Sequence, residues 1–322
     1  MQLGKKLTKS TKVAYPQALA IEITNQCNLH CITCARQYRY GKQMDVGYMD
    51  IDLLKNIVDQ AYPHVGFISL TGLGESLLYK DIASALSYIK SKNRGIVTGM
   101  STNASLTATE RIVRDIRCDL DIIQISIDGI GDVYNSVRKD GDYDTFLENV
   151  RKIVAVGTTS GIDVMFNVVM TRENSHQLTE LIDLAREIGV NSVNLAPFNI
   201  TSTDYEISYY EFFQSREFRD SYHRALERAR QYSDLELTYW RSKRSGQGFR
   251  SCPSPWSNFY VTWDGYVVPC CVKPFPKELN FGNLNNRPLI ECLNDAGFRE
   301  FRKMWLENRT PEFCNECIFV YM

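Results

Sequence analysis

Apolar side chains in the first two-thirds of the chain follow two alternating rhythms. Short runs dense in aliphatic residues occupy Ala18 to Thr24, Gly66 to Thr71, Ile96 to Ser101, Asp121 to Ile127, Asp163 to Met170 and Asn191 to Ala196. Between them, apolar positions recur every three or four residues across Ile51 to Ala61, Asp81 to Lys90, Thr107 to Arg114, Tyr143 to Val156 and Ser175 to Ile188. The first rhythm suits buried strands and the second suits helices with one apolar stripe. Their alternation predicts repeated β-α units, and therefore a parallel sheet whose functional loops follow the carboxyl ends of the strands. Six such strands are too few to close an eight-fold barrel, so the expected architecture is α/β, a partial (β/α)6 TIM-like barrel.

The pattern then changes. Residues 205 to 233 read as helix, rich in tyrosine and arginine, and Arg241 to Arg250 form a Gly/Ser-containing stretch with four cations, Arg241, Lys243, Arg244 and Arg250. That stretch reads as a solvated linker. Asp264-Gly265 between two β-rich runs predicts a hairpin, and a helix is expected from Leu289 to Trp305. The chain thus divides into an N-terminal extension (1–17), the partial barrel (18–204), a helical insertion with the basic linker (205–250) and a small C-terminal domain of hairpin plus helix (251–322).

Composition narrows the function classes. The 322 residues carry 37 Lys+Arg against 38 Asp+Glu, a net charge of −1, which lacks the basic field of a non-specific nucleic-acid binder. No apolar run approaches the ~18 residues of a membrane span. The N-terminus has a positive start but no apolar core of a signal peptide, so the cytoplasm is the expected compartment. Disulfides are rare there, and 10 cysteines against 4 histidines need another explanation.

Spacing points to metal. Cys27, Cys31 and Cys34 lie within one short loop and can converge on one soft centre, whereas the next cysteine is Cys118. A structural zinc closes all four positions, so a local triad leaves one position for a distant residue, a substrate or a cofactor. A second group, Cys252, Cys270, Cys271, Cys314 and Cys317, lies near the other end. Thiolate pairs of this spacing suit zinc and iron–sulfur sites alike, so a zinc ribbon remains open at this point.

The expected strand ends carry matching chemistry. Gly72-Leu73-Gly74-Glu75 follows the second strand, a glycine turn with a carboxylate suited to an ammonium group. Ser101-Thr102-Asn103 after the third suits hydroxyls or caps a helix, and Ser126-Ile127-Asp128-Gly129 after the fourth is followed by Arg138, suited to a carboxylate. One ligand with a chelating end, an ammonium, a carboxylate and a ribose matches this set, and S-adenosylmethionine is such a ligand.

In these residues the chain resembles the radical S-adenosylmethionine (SAM) superfamily, and its C-terminal part resembles the SPASM/Twitch auxiliary-cluster subgroup. The motifs are Cys27-Asn-Leu-His-Cys31-Ile-Thr-Cys34, Thr71 to Ser76 (TGLGES), Ser101 to Leu106 (STNASL), Ile125 to Gly129 (ISIDG) and Tyr134 to Asp144, with Cys252, Asp264 to Cys271 (DGYVVPCC), Phe281 to Leu284 (FGNL) and Cys314-Asn-Glu-Cys317 in the tail. The resemblance implies that Cys27, Cys31 and Cys34 hold a [4Fe-4S] cluster whose open iron chelates SAM. It further implies that Gly74 and Glu75 meet the methionine ammonium, Ser126 and Arg138 its carboxylate, and Ser101, Asn103 or Asp128 the hydroxyl side. Thr33 stands where an aromatic residue is common, and Ser76 where proline is common. In the tail, Cys252, Cys270, Cys314 and Cys317 are implied to hold one auxiliary [4Fe-4S] cluster.

The resemblance leaves the reaction open. The leading expectation is oxidation of a small polar substrate, such as an amino sugar or aminocyclitol, with the auxiliary cluster accepting an electron and a flavodoxin- or ferredoxin-type partner supplying the first one. The alternatives are epimerisation, with a free thiol as hydrogen-atom donor, and peptide or protein modification. A non-catalytic zinc protein is the remote one. Cys118, Cys271 and Cys292 are left over, and Cys271, beside a cluster ligand, is the best-placed donor. The pocket is expected between barrel and auxiliary domain, near Asn167, Asn194 and the 205–250 insertion.

Overall fold

The computed structural model describes residues 10–239, 252 and 254–321. The basic-linker cations Arg241, Lys243, Arg244 and Arg250 lie outside the described residues. All six expected strands form: β1 (Ala18–Ile21), β2 (Phe67–Leu70), β3 (Val97–Thr102), β4 (Ile122–Ser126), β5 (Asp163–Met170) and β6 (Ser192–Pro197). They pair in parallel in that order. The helices α1 (Ile51–Ala61), α2 (Ile82–Lys92), α3 (Thr109–Ile116), α4 (Asp132–Val137), α5 (Tyr143–Ser160) and α6 (Leu178–Ile188) connect them.

Helix ends follow local chemistry. Asp50 accepts from the Asp52 and Leu53 amides to start α1, and Asp142 accepts from Thr145 to start α5. Gly161 and Gly189, both left-handed, end α5 and α6. The core lies between these helices and the sheet: Ile68, Ile123, Ile125, Phe166, Val193 and Leu195 are fully buried. The opposite strand faces are only partly buried and carry Ser69, Ser101, Gln124, Ser126, Asn167 and Asn194. An apolar outer layer and a polar, accessible inner face make the concave side of the sheet the ligand face.

The sheet extends further than the sequence predicts. A short strand, β7 (Glu236–Tyr239), continues it beyond β6, inside the segment expected to be helix and linker. Helix α7 (Arg216–Arg230) precedes it, started by Ser215. After a single helical turn, α8 (Ser254–Ser257), the expected hairpin forms from β8 (Asn258–Val261) and β9 (Val267–Val268), turning at Gly265 with φ 92. It does not stand apart from the barrel: β8 pairs in parallel with β1, giving one nine-stranded sheet in the order β7-β6-β5-β4-β3-β2-β1-β8-β9. Among the described residues the two end strands do not pair, so the barrel stays open.

The expected single helix at Leu289 is two, α9 (Leu289–Leu293) and α10 (Ala296–Leu306), because the Asp295 side chain accepts from the Gly297 amide and starts a second helix. A last turn, α11 (Ile318–Tyr321), follows the final cysteines. The described part of the N-terminal extension is stitched onto this tail. Val13 and Asn294 exchange two hydrogen bonds of 2.9 Å, and the fully buried Arg302 donates to the carbonyls of Thr11, Leu293 and Pro255. No helix among the described residues is long and apolar enough to cross a membrane.

Candidate active site

The cysteine loop leaves the carboxyl end of β1 and is held from below by the turn after α4. The His30 amide donates to the Lys139 carbonyl at 3.0 Å, and the Ile32 amide to Val137 at 2.9 Å. This brings Cys27, Cys31 and Cys34 close enough for each charge to bear on the others. Burial pushes the Cys31 thiol up to about 12, with Arg138 opposing the shift, and also raises Cys27 and Cys34. Donors already point at the sulfurs. Leu29 N–H lies 3.5 Å and Asn103 Nδ2 3.6 Å from Cys27 Sγ, and Arg138 Nη1 lies 3.9 Å from Cys31 Sγ.

The glycine loop passes directly under the cysteine loop. A Cβ on Gly74 would collide with the carbonyls of Thr24 and Gln26, so only glycine allows this approach. Among the described residues no backbone N–H donates to the carbonyls of Thr71, Gly72, Leu73 or Gly74. These free acceptors suit an ammonium group.

Glu75 does not face a ligand, contrary to the sequence expectation. It is 2% exposed, and its carboxylate accepts from Leu77 N (3.0 Å), Thr102 Oγ1 (2.8 Å) and Asn103 N (2.6 Å). It locks the glycine loop to the end of β3. Asp128 is corrected in the same way. It is fully buried, accepts from Val169 N at 2.8 Å and sits 2.8 Å from Arg138 Nη2, so no surface remains for a ribose hydroxyl. Arg138 is largely spent on this ion pair, and its Nε, like Asp128 Oδ2, is buried without a hydrogen-bond partner. Asn103 also has structural duties, donating to Asn28 Oδ1 at 2.9 Å and accepting from Ser105. Ser101 and Ser126 remain half-buried on the concave face. Asn194 donates to Asn167 across that face at 2.7 Å.

The tail cysteines form a second group. Cys314 feels the charges of Cys270, Cys252 and Cys317, and burial pushes Cys270 up to about 12. Asn199 Nδ2 lies 3.2 Å from Cys317 Sγ, and the Val320 N–H donates to the Cys317 carbonyl at 2.8 Å. Among the described residues no three His, Cys, Asp or Glu side chains converge on a single ion. The leftover thiols separate. Cys292 is buried in the core, and exposed Cys118 precedes β4, at the opposite end of the sheet. Cys271 is exposed, and the surrounding protein raises its thiol, with the charges of Cys252 and Cys317 adding.

Comparison with known proteins agrees with this geometry. A family model described as the radical SAM superfamily matches residues 21–185. The chain belongs to that superfamily. A second model, SPASM, described as an iron-sulfur cluster-binding domain, matches residues 252–318. A radical SAM domain carries a [4Fe-4S] cluster and SAM, and a SPASM domain carries auxiliary iron–sulfur chemistry. The tungsten-containing aldehyde ferredoxin oxidoreductase cofactor-modifying protein of Pyrococcus furiosus is 26% identical, covering 93% of this chain and 86% of its own. The PqqA peptide cyclase of Gluconobacter oxydans is 24% identical over 94% of this chain and 82% of its own. The fold is similar to that of Streptococcus suis SuiB, with TM-score 0.70 at 18% identity, both bound to SAM (92% of this chain, 70% of SuiB) and bound to its precursor peptide SuiA (98% and 72%).

One buried carboxyl in this radical SAM core escaped the sequence analysis. Glu22, fully buried just after β1, accepts from Leu73 N (3.0 Å) in the glycine loop and from Tyr260 OH (2.9 Å) and Trp263 N (3.3 Å) in the tail. It joins the glycine loop to the C-terminal hairpin. Burial raises its pKa from 4.5 to about 7, against the three donors. The folded protein therefore holds a proton that the unfolded chain loses above pH 4.5, and this stabilisation is lost as pH rises through 7. Melting curves of the wild type and Glu22→Gln at pH 5 and pH 8 test this. The wild type should lose up to about 3 kcal/mol relative to the variant over that range, and a constant difference contradicts the assignment.

Proposed function

We propose that the protein modifies a peptide substrate by radical SAM chemistry, with one auxiliary [4Fe-4S] cluster held by Cys252, Cys270, Cys314 and Cys317 as electron acceptor. The observation that carries this reading is similarity along 94% of the chain to a peptide cyclase. The unclosed sheet supports it, because an open concave face admits an extended chain from the side. Oxidation of an amino sugar or aminocyclitol, the leading expectation from sequence, loses that place because the similar curated proteins are named for a peptide, a cofactor or GTP and none for a carbohydrate.

When bound and reduced, the cluster and SAM together supply a radical that abstracts a hydrogen atom from the substrate. The chain's residues do the rest. Cys27, Cys31 and Cys34 would hold the cluster that binds SAM. The carbonyls of Thr71 to Gly74 accept from the SAM ammonium, with Gly74 permitting the approach and Glu75 fixing the loop. Arg138 Nε and the Ser126 hydroxyl receive its carboxylate, while Asp128 orients Arg138. Ser101, Asn167 and Asn194 line the hollow in which the substrate meets the cofactor. The family boundaries we assign remain 18–204 for the radical SAM core and 251–322 for the auxiliary domain, and a flavodoxin- or ferredoxin-type donor supplies the electron.

The test is 5′-deoxyadenosine release by the reduced holoenzyme offered short precursor-like peptides, aminocyclitols or amino sugars. A peptide should raise release above the substrate-free rate and leave as a product lighter by two hydrogens. Stimulation by the aminocyclitols or amino sugars alone would overturn the reading. Accessible Cys271 favours epimerisation as a second reading. In that case the product mass in ordinary water is unchanged, deuterium enters from heavy water, and Cys271→Ala blocks the inversion.

A further inference from the structure

The loop after β6 crosses to the tail at one side chain, and its orientation is fixed by its neighbours. Asn199 Oδ1 lies 3.1 Å from Tyr210 OH, 3.2 Å from Thr201 N and 3.4 Å from Ile318 N. The Thr201 and Ile318 N–H groups can only donate, so this end of the amide is the oxygen, while the single Tyr210 proton goes to the nearer Glu316 carbonyl. The other end is then an NH2 group, which can only donate, and it lies 3.2 Å from Cys317 Sγ. The Val320 N–H donates to the carbonyl of Cys317 at 2.8 Å rather than to its sulfur. Asn199 therefore adds a side-chain donor, from the barrel, to a thiolate of the tail.

We propose that Asn199 sets the reduction potential of the auxiliary cluster by donating its Nδ2–H to Cys317 Sγ. The proposal rests on the reading of Cys317 as a ligand of that cluster. Reduction places one more electron on the cluster and its sulfurs, so a donor aimed at a ligand sulfur stabilises the reduced state more than the oxidised one. A more positive potential makes the cluster a better acceptor from a substrate radical. Asn199 touches neither substrate nor SAM in this role and acts through Cys317. Tyr210 is a second positioning group, since its hydroxyl donates to the Glu316 carbonyl at 2.7 Å, in the turn before Cys317.

The experiment is a potentiometric titration of the reconstituted full-length holoenzyme followed by electron paramagnetic resonance, with and without SAM. The signal that SAM does not perturb belongs to the auxiliary cluster. Asn199→Ala should shift its reduced-to-oxidised ratio about tenfold towards oxidised at a fixed potential, equal to about 59 mV for one electron. Asn199→Asp keeps the shape and the acceptor but loses the donor, and should shift it further in the same direction. Unchanged midpoints in both variants, with the signal and iron content retained, overturn the proposal. A wild-type holoenzyme with only the SAM-responsive signal and about four irons overturns instead the ligand reading beneath it.

Discussion

Replacing Cys27, Cys31 and Cys34 together by alanine is expected to reduce reductive cleavage of SAM to the enzyme-free background, measured as 5′-deoxyadenosine and methionine. The argument is one of donors. The three sulfurs lie in one loop whose amides are tied to Val137 and Lys139, so the loop stays in place when the thiols are removed. Cys118 lies at the far end of the sheet, and the tail cysteines are assigned to the auxiliary cluster. The variant should keep its auxiliary cluster and about four irons per chain. Product formation at more than a few per cent of the wild-type rate contradicts the assignment.

Arg138→Ala should produce the largest loss of stability among single substitutions near the site. Its guanidinium and the Asp128 carboxylate are both buried, 2.8 Å apart. Removing the cation leaves an uncompensated charge in the protein interior, at a cost of about 3–5 kcal/mol. Thermal melting should fall on the order of 10 °C. Replacing both members, Arg138→Met with Asp128→Asn, removes the stranded charge and should recover most of the loss. A double variant no more stable than Arg138→Ala contradicts the ion-pair argument and points to lost packing instead.

The fold was legible where apolar runs are continuous. The strands β1 to β6 are buried against helices, and such runs announce themselves without knowledge of their partners. β7 was not legible: Glu236 to Tyr239 is four residues long, alternates exposed and half-buried positions and lies among polar residues. The junction of β8 with β1 was hidden for a different reason, since strand pairing across more than 200 residues leaves no local trace. The split at Asn294-Asp295 was readable in principle, because Asp295 followed by Ala-Gly is a helix start inside a helical pattern.

In the site, cysteine spacing carried most of what could be read. The charged residues were harder, because sequence shows a charge but not whether neighbours consume it. Glu75 and Asp128 have the motif positions of ligand groups, and the fold turns both inward onto backbone amides. Glu22 did carry a signal, a carboxylate inside an apolar run, where burial without partners is costly. Asn199 carried none: an asparagine after a strand is an ordinary loop residue until the tail folds against it.

Iron, acid-labile sulfide and zinc per chain, determined after anaerobic purification of the wild type and of Cys314→Ala with Cys317→Ala, test the account most directly. Three thiols holding one cluster and four holding another predict about eight irons and eight sulfides in the wild type, about four of each in the variant, and no stoichiometric zinc. About four irons in the wild type, or one zinc per chain lost with Cys314 and Cys317, would contradict it.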